Sequence, residues 1–225
     1  MDTRLHNNKL RDAYNSYAEL LSRHREGTDF DRTLRARDGA KVAILAPHGG
    51  RLENFTDTIA ESVAGSDFSL YCFRSKLGWG QTNLHITSHK FDDPDCVALV
   101  ARHPWALALH GCSQGGERVF IGGRDQALMD DLARALQHAG IQTEISGHAY
   151  PGQHPNNICN RSASNAGAQI EMTMPFRKSG AVPLFVVALR TVLLARQCGD
   201  FENPMPVHSG DRSDHVGHNK PSAPG

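Results

Sequence analysis

The chain has no excess of charge, no paired-cysteine motif and no apolar run long enough to cross a bilayer. Lys and Arg number 24 against 24 for Asp and Glu, so no net charge advertises nucleic acid or an anionic membrane as a partner. The five cysteines are odd in number and form no Cys-x-x-Cys pair, which points away from a disulfide framework and toward free thiols in a reducing compartment. The longest apolar stretch, Ala181 to Leu189, ends at Arg190 and falls short of the ~20 residues a membrane helix needs. The opening MDTRLHNNKLRD lacks the apolar core of a secretory signal, so the expected location is the cytoplasm, or the medium after lysis. No internal repeat is visible. These absences predict a soluble protein, expected to be a monomer.

What is present suits one α/β domain over residues 1–200, followed by a Pro-, Gly-, Ser- and His-bearing tail, 201–225, expected to be disordered. Leu10, Tyr14, Tyr17 and Leu21 recur at helical spacing, predicting an amphipathic helix over 9–25 that packs on the domain edge. The charged residues 26–40 read as a connector. VAILAP (42–47) reads as a strand covered on both faces, and Thr56 or Thr58 as the cap of a following helix, with Thr58-x-x-Glu61 fitting a capping box. SLYCF (69–73), WALALH (105–110), ERVFIGG (117–123) and QTEIS (142–146) read as further strands, and Asp125 to Ala139 as an amphipathic helix stopped by Gly140. Residues 147–168 form a long loop without periodicity. QIEMTM (169–174) alternates, placing Gln169, Glu171 and Thr173 on one face. Residues 182–197 predict a helix apolar nearly all round and therefore buried. Strands alternating with helices imply a mostly parallel sheet with helices on both faces, whose site forms beyond the carboxyl ends of the strands.

Two histidines and a glutamate fall at that rim. His48 follows VAILAP directly and precedes two glycines, Glu53 stands at a helix entry, and His110 closes WALALH before Gly111. Two His and one Glu is a hydrolytic zinc set that leaves a fourth position for water. Taken singly, each has a plainer reading: His48 a hydrogen-bonded turn histidine, Glu53 a carboxylate favoured by a helix N-terminus. Glu171, on the polar face of its strand, suits a general base that takes a proton from water and passes it to a leaving amine; its plainer reading is a surface-facing strand residue.

Four blocks then stand in order: APHGG-x-x-E-x-x-T-x-x-IA (46–60), LHITS-x-x-FDDP (84–94), His110-Gly111 with IGG downstream, and NICNR…GAQIE (157–171). Together, over roughly residues 10–197, they resemble the poly-γ-glutamate hydrolase family of phages and Bacillus. The resemblance implies a zinc-carboxypeptidase-like α/β/α sandwich around a mixed, mostly parallel sheet, and endo-type cleavage of γ-linked polyglutamate. It implies one zinc on His48, Glu53 and His110, with Glu171 as general base. True carboxypeptidases place two residues between the His and Glu ligands; this chain places four.

A polyanionic substrate calls for cations and amide donors. Arg161 is the leading candidate, either binding a carboxylate bidentately or polarising the scissile carbonyl. Asn157, Asn160, Asn83 and His85 are further candidates, and Arg74 a weaker one; each also reads as a loop-stabilising group. Three rival functions remain. Gly111-Cys112-Ser113-Gln114-Gly115 matches the G-x-S-x-G elbow of serine hydrolases, with Asp125 or Glu144 and His148 or His154 to complete a triad. The metal site could instead serve a small N-acyl amino acid, or a binding protein without turnover.

Overall fold

The computed structural model describes residues 12–78 and 84–199. Seven strands form one mixed sheet: β1 (Phe30–Arg35), β2 (Val42–Gly50), β3 (Ser69–Ser75), β4 (Trp105–Cys112), β5 (Val119–Gly123), β6 (Thr143–Glu144) and β7 (Ala168–Thr173), in the order β1-β3-β2-β4-β7-β5-β6. β3, β2, β4 and β7 run parallel, while β1 and β5 join antiparallel to β3 and β7. The helices are α1 (Tyr17–Leu21), α2 (Thr56–Ala64), α3 (Pro94–Ala101), α4 (Gln126–His138), α5 (Met174–Arg177) and α6 (Val182–Cys198), with a 3-10 turn at Ile158–Arg161.

Strand alternation divides the core between two layers. Val42, Ile44, Leu107, Leu109, Ile170 and Met172 face one cluster with α2, α4 and α6. Ala43, Leu45, Ala106 and Ala108 face the other, with α1, α3 and the 3-10 turn. This is the three-layer sandwich expected from the sequence. Glu171 and Thr173 alternate with Ile170 and Met172, so they stand on the second face of the sheet.

Several boundaries differ from expectation. The helix expected over 9–25 appears, within the described residues, only as Tyr17–Leu21; residues 1–11 lie outside them. The supposed connector 26–40 holds β1, an edge strand whose charges hid it: Phe30 points into the core while Arg32 reaches Asp93. No capping box forms at Thr58. α2 begins at Thr56 behind Phe55, whose φ is 75°, and Thr58 Oγ1 donates to the Phe55 carbonyl while Glu61 pairs with Arg74. α6 is not buried all round, since Leu184 and Val187 are exposed. The helix α3 follows from Asp93-Pro94, an N-cap whose carboxylate accepts from the Asp95 N–H, with proline at the first turn. Residues 201–225 lie outside the described residues.

One buried ion pair ties the edge strand to the second layer. Asp93, with 0% exposure, accepts from Arg32 Nη1 at 3.1 and 2.9 Å and from the Tyr71 hydroxyl at 2.5 Å. Asp93→Ala is expected to cost about 3 kcal/mol, the low end for breaking a buried pair because Arg32 keeps some access to water. Urea unfolding measures it; a loss below about 1 kcal/mol, the scale of an exposed pair, would contradict this role.

Candidate metal centre

β2 pairs with β4 only as far as Leu45 opposite Ala108, and its register against β3 slips between Ala46 and Gly49. Pro47 sits in that slip and has no N–H to donate, which favours a break in the ladder. β2 therefore leaves β4 at its carboxyl end, and His48 stands in the opening. Gly49 is needed there, since a Cβ would stand 2.7 Å from the Asp57 Cβ and 2.8 Å from the Phe73 carbonyl oxygen. The chain then turns, with Glu53 N–H donating to the His48 carbonyl at 2.8 Å. The turn returns the Glu53 carboxylate to the opening, where Gly111 N–H donates to its Oε2 at 2.9 Å.

His48, Glu53 and His110 each offer one ligand atom, all within 4.8 Å of one another. His48 Nδ1 lies 3.1 Å from Glu53 Oε1 and 3.2 Å from His110 Nδ1, which lies 3.6 Å from Glu53 Oε2. Tetrahedral coordination at zinc bond lengths places ligand atoms about 3.4 Å apart, so the spacing fits one ion. The rings are also oriented for it. His48 Nε2 stands 2.8 Å from the Ile86 carbonyl oxygen and His110 Nε2 3.3 Å from Ser88 Oγ. Placing the protons on Nε2 leaves both Nδ1 lone pairs facing Glu53, the outer-sphere arrangement usual for metal-binding histidines. The LHITS block supplies both partners.

Electrostatics act differently on the three donors. Burial pushes His48 down to about 4, with the charge of His85 acting the same way and Glu53 opposing. Burial also disfavours charge on His110, but the hydrogen bond to Glu53 and the nearby Glu171 and Glu53 carboxylates raise it overall. Glu53, despite burial, is held well below the usual carboxylate range by His48 and His110. Glu171 pairs in register with His110 across β4 and β7. Burial raises it to about 7 against the opposing charge of His110. Gln169 Nε2 lies 3.5 Å from Glu171 Oε1, and Asn157 Nδ2 donates to Gln169 Oε1 at 2.6 Å.

The other expected site residues fall in different places. His85 joins the centre: its ring lies 4.0 Å from that of His48, its Nε2 3.9 Å from Glu53 Oε1, and its Nδ1 2.8 Å from Asp12. Asn157 reaches it through Gln169. Asn160 is occupied with the backbone, donating to the Gly152 and His154 carbonyls and accepting from Gly167. Arg74 binds Asp57, Thr33 and Glu61 between β3 and α2. Arg161 lies on the 3-10 turn, where its charge acts on Cys96 of α3. Asn83 lies outside the described residues. The guanidinium among the main charges on Glu171 is that of Arg177 on α5. It follows the end of β7, and the strand-end rule applied to that strand would have found it. Burial raises Tyr150 to about 12, and the nearby Cys112 and Glu171 act in the same direction. Ser113 is exposed on a loop, and β4 runs through that loop into β5 without the helix a nucleophile elbow needs. Asp125 and Glu144 are engaged by Arg196 and Arg118.

The structure thus defines an α/β sandwich with a candidate His-Glu-His metal site at its strand ends. A family model described as poly-gamma-glutamate hydrolase matches residues 14–183, and the chain belongs to that family. The UPF0714 protein YndL of Bacillus subtilis (strain 168) is 34% identical over 170 residues, which is 75% of this chain and 66% of YndL. The chain thus spans just under two thirds of that relative. A bacteriophage poly-gamma-glutamate hydrolase structure superposes with TM-score 0.79 at 24% identity, covering 84% of this chain and 99% of the phage chain. A structure of YndL described as apo and zinc-free gives 0.74 at 28%, covering 83% and 99%.

The donor geometry predicts about one equivalent of tightly bound divalent ion after zinc loading and dialysis. His110→Ala should reduce it to about a tenth or less, because losing a ligand costs far more than the 10–100-fold typical of an outer-sphere partner. Elemental analysis reads the result; full retention in His110→Ala would remove His110 from the site.

Proposed function

We propose that the chain is a zinc-dependent hydrolase of the γ-glutamyl amide bonds in poly-γ-glutamate, with one zinc on His48, Glu53 and His110 and Glu171 as general base. The observation that supports this most is the convergence of two imidazole Nδ1 atoms and a carboxylate beside a second carboxyl, Glu171, in register with His110. Two neutral imidazoles and one carboxylate leave net positive charge on a divalent ion. Bound zinc would supply Lewis acidity, lowering the pKa of a water and polarising an amide carbonyl.

The protein supplies orientation and proton transfer. Ile86 and Ser88 hold the two rings in one tautomer, and Gly111 holds Glu53. Glu171 takes a proton from the attacking water and returns it to the departing nitrogen; an acid shifted toward neutral pH suits both transfers. Asn157, through Gln169, fixes where its carboxyl points. The substrate class rests on the family to which the chain belongs.

Glu171→Gln is expected to keep its zinc and to lose turnover by about 10²–10⁴, the range for general acid–base help. Polymer hydrolysis followed by size-exclusion chromatography measures this. Near-normal rate would remove Glu171 as base. In the unmutated protein, chains of intermediate length should appear early; release of small products alone from the start would favour a small N-acyl amino acid substrate.

A further inference from the structure

Arg177 is a buried cation that the mechanism above leaves unused. The residue is 7% exposed. Its Nη1 donates to the Asn54 carbonyl at 2.5 Å, beside the turn that carries Glu53, while its Nε has no hydrogen-bond partner. No carboxylate among the described residues forms an ion pair with it. The guanidinium packs against Gly111, next to His110: a Cβ at 111 would stand 2.5 Å from its Cζ and 2.6 and 2.7 Å from its terminal nitrogens. Glycine at 111 therefore makes room for a charge at the rim of the metal centre. Glu53, Cys112 and Glu171 favour that charge but do not offset its burial. A buried guanidinium without a paired anion is costly, and it is stabilised when an anion completes it.

We propose that the Nε edge of Arg177 binds a substrate α-carboxylate flanking the scissile γ-amide, which makes Arg177 a specificity-determining residue. This rests on the polyglutamate reading above. In γ-linked glutamate every unit keeps a free α-carboxylate beside the amide, whereas an α-linked chain has spent it in the backbone. With Nη1 held by Asn54, the remaining Nε–Nη2 edge is a planar two-donor fork that matches a carboxylate. Metal centre and guanidinium would then recognise the two sides of one bond, the γ-carbonyl of one unit and the α-carboxylate of the unit on the amine side.

Calorimetric titration tests this in the full chain carrying Glu171→Gln, which holds turnover down. The ligands are γ-linked triglutamate and the same peptide with its α-carboxyls converted to carboxamides. The carboxylate peptide should bind about 10- to 100-fold more tightly, as expected for one charge-assisted bidentate pair. Adding Arg177→Met should shrink that ratio by about tenfold or more, and Arg177→Lys should keep part of it, restoring charge without the fork. Equal affinity for the two peptides, or binding of neither, overturns the proposal and needs no Arg177 variant to fold. A ratio that survives Arg177→Met also overturns it and leaves Arg177 as a brace for Asn54 or a donor to the reacting carbonyl. Peptide cleavage by the Glu171→Gln protein would count against the general base, while the affinity ratio would still decide the subsite. Whether the unmutated chain cleaves polymer is read separately by the chromatography above.

Discussion

The parting of β2 from β4 beyond Leu45 and Ala108 is the constraint on which the rest of the site depends. Parallel strands that stayed paired to their ends would place His48 and His110 on a closed ladder, with no room between them. The register slip at Pro47 opens the sheet there. The next turn returns Glu53 to the gap, and the LHITS segment covers it. Each element in that sequence of events supplies a hydrogen bond that orients a neighbour: Gly111 to Glu53, His48 to Ile86, His110 to Ser88. The centre is thus held by backbone geometry and outer partners, which is the condition for lone pairs to face a common point.

Charge is distributed around this opening in a way that separates tasks. Glu53 lies against two histidines and is held ionised, the state in which a carboxylate can take a metal. Glu171, one strand over, is half-buried with weaker compensation, and its pKa rises to about 7. Two carboxyls a short distance apart are driven to opposite behaviour by their surroundings, a pattern that marks acid–base sites. The same segment that orients the histidines is itself anchored: Asp12 accepts from the Thr87 N–H and hydroxyl and pairs with His85. Asp12 thereby braces the segment that orients the two histidines.

Much of this was legible in the sequence, for physical reasons that also explain the omissions. The apolar runs of β2, β3 and β4 are readable because both sheet faces are covered, and the strand-end rule then selects His48 and His110, with Glu53 at the helix entry that follows His48. Alternation in QIEMTM placed Glu171 on the face opposite Ile170 and Met172. What escaped were features that depend on partners distant in sequence. β1 hides because Arg32 is satisfied by Asp93, far along the chain. Arg74 is chemically suited to an anion, but Asp57 and Glu61 already engage it between β3 and α2. Arg177 follows the end of β7, but the room for its guanidinium depends on the absence of a side chain at Gly111, far from it in sequence. Asn157 and Asn160 share one motif, yet one braces Glu171 through Gln169 while the other ties loop backbone together.

The claim that carries the account is that His48, Glu53 and His110 bind one zinc through Nδ1, carboxylate and Nδ1. Crystals of the zinc-loaded protein measured on both sides of the zinc absorption edge test it directly. The account predicts a single anomalous peak per chain, about 2.0–2.1 Å from both Nδ1 atoms and about 2.0–2.2 Å from a Glu53 oxygen, with the His48 and His110 Nε2 atoms still facing Ile86 and Ser88. A peak elsewhere, or none between these three residues, would contradict it.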